Sequence, residues 1–394
     1  MADDWKNAPA NGRNDGIIRI GSYEALLAFA ARVNGGEYGL NAVLTADIQA
    51  ADRKWTPIGE DIEHVYCGVF DGRGHSITGL SNDRAEKREF AGLFGCSEGT
   101  VRNTELRNAS IRGSNSEGGI VGESFFGSVE NCRVNGSVTA VGEGSFVGGV
   151  VGYNDGSVEN CASDGSVTAV GKHGSAGGVV GYNILGSVEN CASGGSVTAG
   201  GEGSFAGGVV GVNDEGSVEN CASDGVVTAV GEESGAGGVV GGNSYGSVRN
   251  CMGGGSVMGK LAGGVVGWND CSVENCASGG SVTAVGEGSS AGGVAGRNIG
   301  VVRSCASGGT VSFDERANII PDVGVVVGDN DRGRVENCFY LEGSARGVVE
   351  GKDEPGAMPL SAEQFGRVDS FPGWDFENVW IMGPDGPVLR AARK

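Results

Sequence analysis

Basic residues are scarce in this chain: 28 Lys and Arg stand against 49 Asp and Glu, a formal charge of −21. Binding to a phosphate backbone needs a basic stripe, so this balance argues against nucleic acid as a partner. It favours solubility, and cations or basic proteins as partners. Long apolar runs are missing too. Nothing approaches the ~20 continuous apolar residues of a membrane span, so no membrane insertion is expected. The opening segment, Met1 to Trp5, has neither a basic n-region nor an apolar h-region. It reads either as the start of a cytosolic chain or as one whose leader has been removed. Only 6% of residues are aromatic, and the three histidines, His64, His75 and His173, are scattered outside any recognisable motif.

Glycine is abundant instead, 78 of 394 residues, without the three-residue period of collagen. One sentence recurs about eight times: Gly-Gly-Val-Val-Gly, then Gly-Ser-Val-Glu-Asn-Cys-Ala-Ser, then Gly-Ser-Val-Thr-Ala-Val-Gly. Its clearest copies begin at Gly118, Gly148, Gly177, Gly207, Gly237, Gly263 and Gly292, with spacings of 26 to 30 residues and an eroded copy at Gly324–Gly328. A fixed period in this range denotes a stacked repeat architecture. A solenoid grows in one dimension, so the length implies one elongated domain with caps.

Within a copy, three short runs rich in Val, Ser and Thr are separated by corners containing Gly or Asn, which is a strand signature. Three strands per repeat and no helical pattern between them predict a right-handed, three-faced parallel β-helix of about nine to ten turns. Equivalent strands would stack at ~4.8 Å. Val188 and Cys191 are both apolar and three apart, so the chain must bend at Glu189–Asn190 for both to face inward. Asn tolerates left-handed backbone angles. The same place holds Asn131, Asn160, Asn220, Asn250, Asn275 and Asn337, with Ser304 as the substitute, and an asparagine ladder is expected there. The repeat cysteines, Cys132, Cys161, Cys191, Cys221, Cys251, Cys276, Cys305 and Cys338, read as a reduced inward column of small hydrophobes. Rung spacing exceeds the Cβ separation of a disulfide, and no CxxC is present for zinc. Cys271 stands outside this register and is expected to be the exposed thiol.

Three regions follow: an N-terminal cap with first strands at 1–90, repeats at 91–340 and a C-terminal cap at 341–394. Ser22 and the periodic run to Val33 predict a capping helix ending at Asn34-Gly35. Gly92–Gly95 is expected to open the stack as a divergent first rung. Leu360–Phe365 reads as a short helix, and the aromatic Trp374–Trp380 segment as a plug for the last rung.

With its Gly92–Gly95, Gly119–Gly122, Gly149–Gly152 and Gly178–Gly181 motifs, repeated at Gly208–Gly211, Gly238–Gly241, Gly264–Gly267 and Gly293–Gly296, the chain resembles the GLUG-repeat proteins. Its Asn-Cys-Ala-Ser runs and its Trp374–Trp380 tail are also similar to that family. The resemblance implies a bacterial exported β-helix, since such repeats occur in secreted, surface and adhesin-like proteins and attached to IgA-specific metallopeptidases. The chain lacks a His-Glu-x-x-His, so no peptidase residues carry over.

Two columns are candidate sites. The outward carboxylates Glu130, Glu159, Glu189 and Glu219 continue as Arg249, Glu274, Arg303 and Glu336. Oxygen-rich carboxylate sets hold Ca²⁺, and neighbouring charges at ~4.8 Å repel by only about 0.9 kcal/mol in water. The competing reading is a solvated, charge-paired face. The second candidate is aromatic: Tyr153, Tyr182 and Trp268 follow the Gly-Val-Val-Gly motif, and Phe146 and Phe205 precede it. Exposed aromatics along a flank suit glycan or protein contacts; ordinary edge packing is the alternative. The leading expectation is a non-catalytic, monomeric, secreted or cell-surface adhesin-like module that binds host protein or glycan through a lateral face. One alternative is a polysaccharide lyase or glycoside hydrolase working at a corner groove, where Asp155, Asp164, Asp214 and Asp224 are available. Another is a structural or ice-binding solenoid, from the hydroxyl columns at Ser137/Thr139, Ser166/Thr168 and Ser196/Thr198, which Val226 and Met258 interrupt.

Overall fold

Each repeat closes one coil of a parallel β-solenoid, seen here in a computed structural model that describes residues 16–50, 54–86, 90–314, 321–344 and 356–390. The Met1 to Trp5 segment read for a leader lies outside these. A representative coil starts with Ser175–Gly177 on the C face, then runs through Val180–Ile184 and Ser187–Glu189 on the A face. It continues through Ala192–Ser193 and Ser196–Ala199 on the B face, and Phe205–Gly207 begins the next coil. Strands pair in parallel with their equivalents one repeat away, Val180 on Val210 and Val188 on Val218. The A face has 19 strands and the C face eight. The stack amounts to about ten turns.

Interior columns of small apolar side chains explain why the sentence repeats. Val150, Val179, Val209 and Val239 are buried, as are Val158, Val188 and Val218 and the eight repeat cysteines. The paired glycines answer close backbone approach: a Cβ on Gly177 would collide with Val180 O, and one on Gly178 with Gly208 O. Both Val188 and Cys191 face inward as expected, and Asn190 makes the bend at φ 54°.

The amide ladder, however, runs one corner earlier. Asn183 Nδ2 donates to Asn213 Oδ1 at 2.8 Å and Asn213 to Asn243 at 2.9 Å, in a column buried from Asn154 to Asn298 and ending on the exposed Asn330. Each amide can also donate to a carbonyl of its own turn, Asn183 to Gly186 O at 3.0 Å. Asn190 and its equivalents instead serve the left-handed bend. Inward amides need partners because unmatched buried polar groups are costly, and the stack supplies one per rung.

The helix α1, Tyr23–Asn34, forms where expected, and Ser22 Oγ accepts from the Ala25 N–H. Its buried face sets Phe29 against Tyr66 and Phe70. The stack opens before Gly92–Gly95: Ile17–Ile20 pairs with Asn41–Leu44, which pairs with Val69–Asp71, which pairs with Thr100–Arg102. The strands expected within 1–90 are thus rungs of the stack itself, built with Ile, Leu and Phe in place of the Val-Gly sentence. At the other end Ala357–Leu360 adds a final B-face strand, followed by α2, Ala362–Phe365. The Trp374–Trp380 segment does not plug the end. Together with Phe365 and Phe371, Trp374 and Trp380 pack on the flank of the B face, in one cluster with Ala222, Ala277, Ala306 and Phe339 and with Met252 against it.

Candidate functional site

The aromatic residues singled out from the sequence meet on one flank, where the outward sides of the C and A faces join. Phe146 pairs with Ser175 and Phe205 with Gly235 on the C face, while Tyr153 pairs with Tyr182 on the A face. Parallel in-register stacking therefore places tyrosine over tyrosine. Their rings are 5.9 Å apart and 3° from parallel, and Phe146 lies 4.6 Å from Tyr182 and 5.8 Å from Tyr153. Phe125, not foreseen as a site residue, extends the group at 6.4 Å from Tyr153. Farther along the flank Phe205 stacks on Trp268 at 5.9 Å. The ring of Phe205 lies where side chains on Gly235 and Gly242 would project, so those glycines make room for it.

The five aromatics thus form two clusters, Phe146/Tyr153/Tyr182 and Phe205/Trp268, separated on the A face by Val212 and Gly242. All are half-buried. Tyr182 donates its hydroxyl to Asp214 Oδ2 at 2.7 Å, and burial followed by this carboxylate raises its pKa. Burial also raises that of Tyr153, with Asp155 adding to the effect. Both remain neutral donors under ordinary conditions. The clusters offer apolar surface and hydroxyls beside carboxylates, rings with an apolar body and a polar tip.

Glu130, Glu159, Glu189 and Glu219 stand in register on adjacent A-face strands, continuing to Arg249 and Glu274. Each rung contributes one carboxylate to a straight column. Beyond Glu219 the charges pair: Arg249 lies 3.4 Å from Glu274, and Arg303 2.9 Å from Glu336. Among the described residues, no three His, Cys, Asp or Glu side chains converge in a group that could hold a metal ion.

Elsewhere, a cleft of about 870 Å³ at the A–B corner is lined by Asp71, Arg73, Arg102, Glu105, Glu130 and Arg133 among others. Arg102 approaches the buried Asp71 at 3.4 Å, so charges in the cleft are partly matched. On the B-face side Asp164 and Asp224 flank Gly194, their Oδ1 atoms 3.1 and 3.2 Å from where a Cβ would sit. Arg133 pairs with Asp164 at 3.0 Å. The hydroxyl columns align, Ser166 with Ser196 and Thr168 with Thr198, and are interrupted by Val226 and Met258 as the sequence suggested. Of the histidines, His64 pairs with Asp61 and His75 with Asp47.

The repeat cysteines are buried, and burial holds the thiols of Cys132, Cys161 and Cys191 well above their ordinary pKa. Cys271 is only partly exposed; Cys67, in an early rung, is the exposed thiol. Sequence reading also missed the exposed Phe126, Leu185 and Tyr245. Their signal was an extra residue before the Gly-Ser-Val strand: Asn183-Ile-Leu-Gly186 against Asn154-Asp-Gly156.

Known proteins share parts of this organisation. The GLUG motif matches residues 113–139, 144–168 and 258–283. Halomucin of Haloquadratum walsbyi (strain DSM 16790 / HBSQ001) is 34% identical over 153 residues, 36% of this chain and 2% of halomucin. The match thus spans a small fraction of that relative's length. A Bacteroides ovatus protein provisionally named an immunoglobulin A1 protease overlays with a TM-score of 0.41 at 20% identity, covering 95% of this chain and 92% of its own. A second solved structure, IgA1 Protease, overlays with a TM-score of 0.41 at 14% identity, covering 84% of this chain and 22% of its own. The chain thus carries GLUG-motif repeats in three places and folds as a parallel β-solenoid.

Proposed function

We propose that the chain is a non-catalytic, exported, adhesin-like module that binds protein or glycan through the flank carrying Phe146, Tyr153, Tyr182, Phe205 and Trp268. The carrying observation is the contact among Phe146, Tyr153 and Tyr182, three half-buried rings from three strands gathered on one exposed side. Aromatics with an apolar body and a polar tip are suited to such surfaces. The likeness to halomucin supports an exported, surface-associated location. The chain's charge of −21 favours basic over anionic partners.

The alternative is a polysaccharide-degrading enzyme, favoured by the two carboxylates that flank Gly194. A glycan array run beside a reducing-end release assay on the same polysaccharides, with and without chelator, separates the two. Binding without product, weakened in Tyr153→Ala/Tyr182→Ala, is the expected result. Turnover abolished by Asp164→Asn or Asp224→Asn overturns the module reading.

A further inference from the structure

The A–B corner takes a left-handed residue in coil after coil, and in the coils with the longer turn so does the corner beside the amide ladder; the chain fills the two differently. At the A–B corner φ lies between 51° and 55°, and from Asn103 to Asn337 the residue is Asn at eight rungs and Ser304 at one. Where the turn beside the amide ladder has its extra residue the backbone is similar, with φ of 52°, 55°, 54°, 52° and 66°, but the residues are Phe126, Leu185, Glu215, Tyr245 and Arg332. Left-handed angles crowd Cβ against the backbone, and Asn tolerates them better than bulky side chains do. The first corner is therefore an internal control: where only the turn matters, this chain uses Asn.

At the second corner the bulky side chains point into solvent. Phe126 is 82%, Leu185 65% and Tyr245 75% exposed. Their backbones already take part in the stack, Leu185 N–H donating to Asp214 O and Tyr245 N–H to Asp270 Oδ1. The side chains thus bring neither burial nor an easier turn. Phe126, Leu185 and Tyr245 occur on alternate rungs, about 10 Å apart from one to the next at the strand spacing. Such projecting apolar groups fit holes in a partner better than the flat face of a sugar. The strip between them carries Asp155, Asp214 and Glu215, with Asp270 one rung beyond Tyr245, and no Lys or Arg at the matching positions of this span; Arg332 stands at the same corner three rungs past Tyr245. Two copies of this strip would repel each other, and an anionic surface would be repelled as well.

We propose that Phe126, Leu185 and Tyr245 form a protein-docking ridge whose partner presents apolar pockets rimmed by Lys and Arg. The proposal rests on the binding-module reading above and narrows it from protein or glycan to protein. The test variant is F126N/L185N/Y245N, which gives this corner the residue used at the other. A random-peptide display library is selected on the native chain, and the enriched peptides are measured on both proteins at low and moderate salt. Peptides that combine an apolar residue with Lys or Arg are expected, binding at least tenfold more weakly to the variant and more weakly as salt rises. The variant is expected to melt at or above the native temperature. A lower melting temperature overturns the proposal, because the side chains then serve folding. Enrichment of acidic peptides overturns it, as does glycan-array binding that the variant loses. Peptide binding unaffected by the variant but lost in Tyr153→Ala/Tyr182→Ala removes the ridge and leaves the lateral-face reading standing.

Discussion

Glu117 occupies an interior position, paired with Val147 on the next rung. The site accommodates it because Gly113 replaces the alanine of later rungs; a Cβ there would collide with the Glu117 carboxyl. Burial pushes this carboxyl from 4.5 to about 8, with the Asn115 N–H at 2.8 Å opposing and Glu123 adding. The folded chain therefore holds the proton more tightly than the unfolded chain. That stability is fully present below about pH 4.5, declines as pH rises and is lost above about pH 8. Each unit of displacement is worth about 1.4 kcal/mol, so Glu117→Gln is expected to gain a few kcal/mol near pH 9 relative to pH 5. Denaturant melts at the two pH values check this, and equal pH slopes in both proteins refute it. A second residue-scale expectation concerns thiols: native-state labelling should modify Cys67 first, with the buried column reacting only on unfolding. Labelling of the column at the rate of Cys67 would contradict the packing. The inward column was legible because spacing and bend fixed its direction. Cys67 was overlooked because its rung lacks the repeat sentence, so no register located it.

Among elements, the two asparagine columns look alike in sequence and do different work. Asn213 is buried between Asn183 and Asn243 and also donates to Gly216 O at 3.1 Å. Removing it leaves an unmatched donor above and an unmatched acceptor below. Asn213→Ala is therefore expected to destabilise by about 2–4 kcal/mol, at roughly 1–3 per orphaned group. Asn220 holds φ 55° at a corner, so Asn220→Gly should change stability by less than about 0.5 kcal/mol. Comparable losses in the two variants would show that the ladder contributes no more than the bend. The three faces, the bend at Glu189–Asn190 and α1 were readable because Val-Cys spacing, glycine and a Ser cap are local signals. The three strands expected per repeat are instead five, two faces each being split in two. The ladder was placed one corner late because recurrence alone cannot tell an inward amide from an outward one. The aromatic flank was legible for a related reason: a fixed period carries each residue to its neighbour's place. The exposed corner side chains were not, since a one-residue lengthening of a turn is a weak signal in a glycine-rich sequence.

For the whole molecule, the C-terminal segment acts as a strap. It buries Ala222, Ala277 and Ala306 on the B face, whereas the equivalent Ala162 and Ala192 stay half-exposed. Truncation before Ser361 should leave the β circular-dichroism signal intact while uncovering a strip that includes Phe339 and Met252. Dye binding and self-association are the expected readouts, because contiguous apolar patches promote association. Loss of the β signal would instead make the strap essential to the stack. The helical cap holds one end and the strap lies along the later rungs from Ala222 onward, and between them each rung touches little beyond its own neighbours. Whole copies of the repeat could therefore be gained or lost in the span from Gly118 to Ser217 without disturbing either fixture. Each exchange would move the capped end by about 4.8 Å. The protein is in that respect an extensible ruler, whose reach is set by the number of copies it carries.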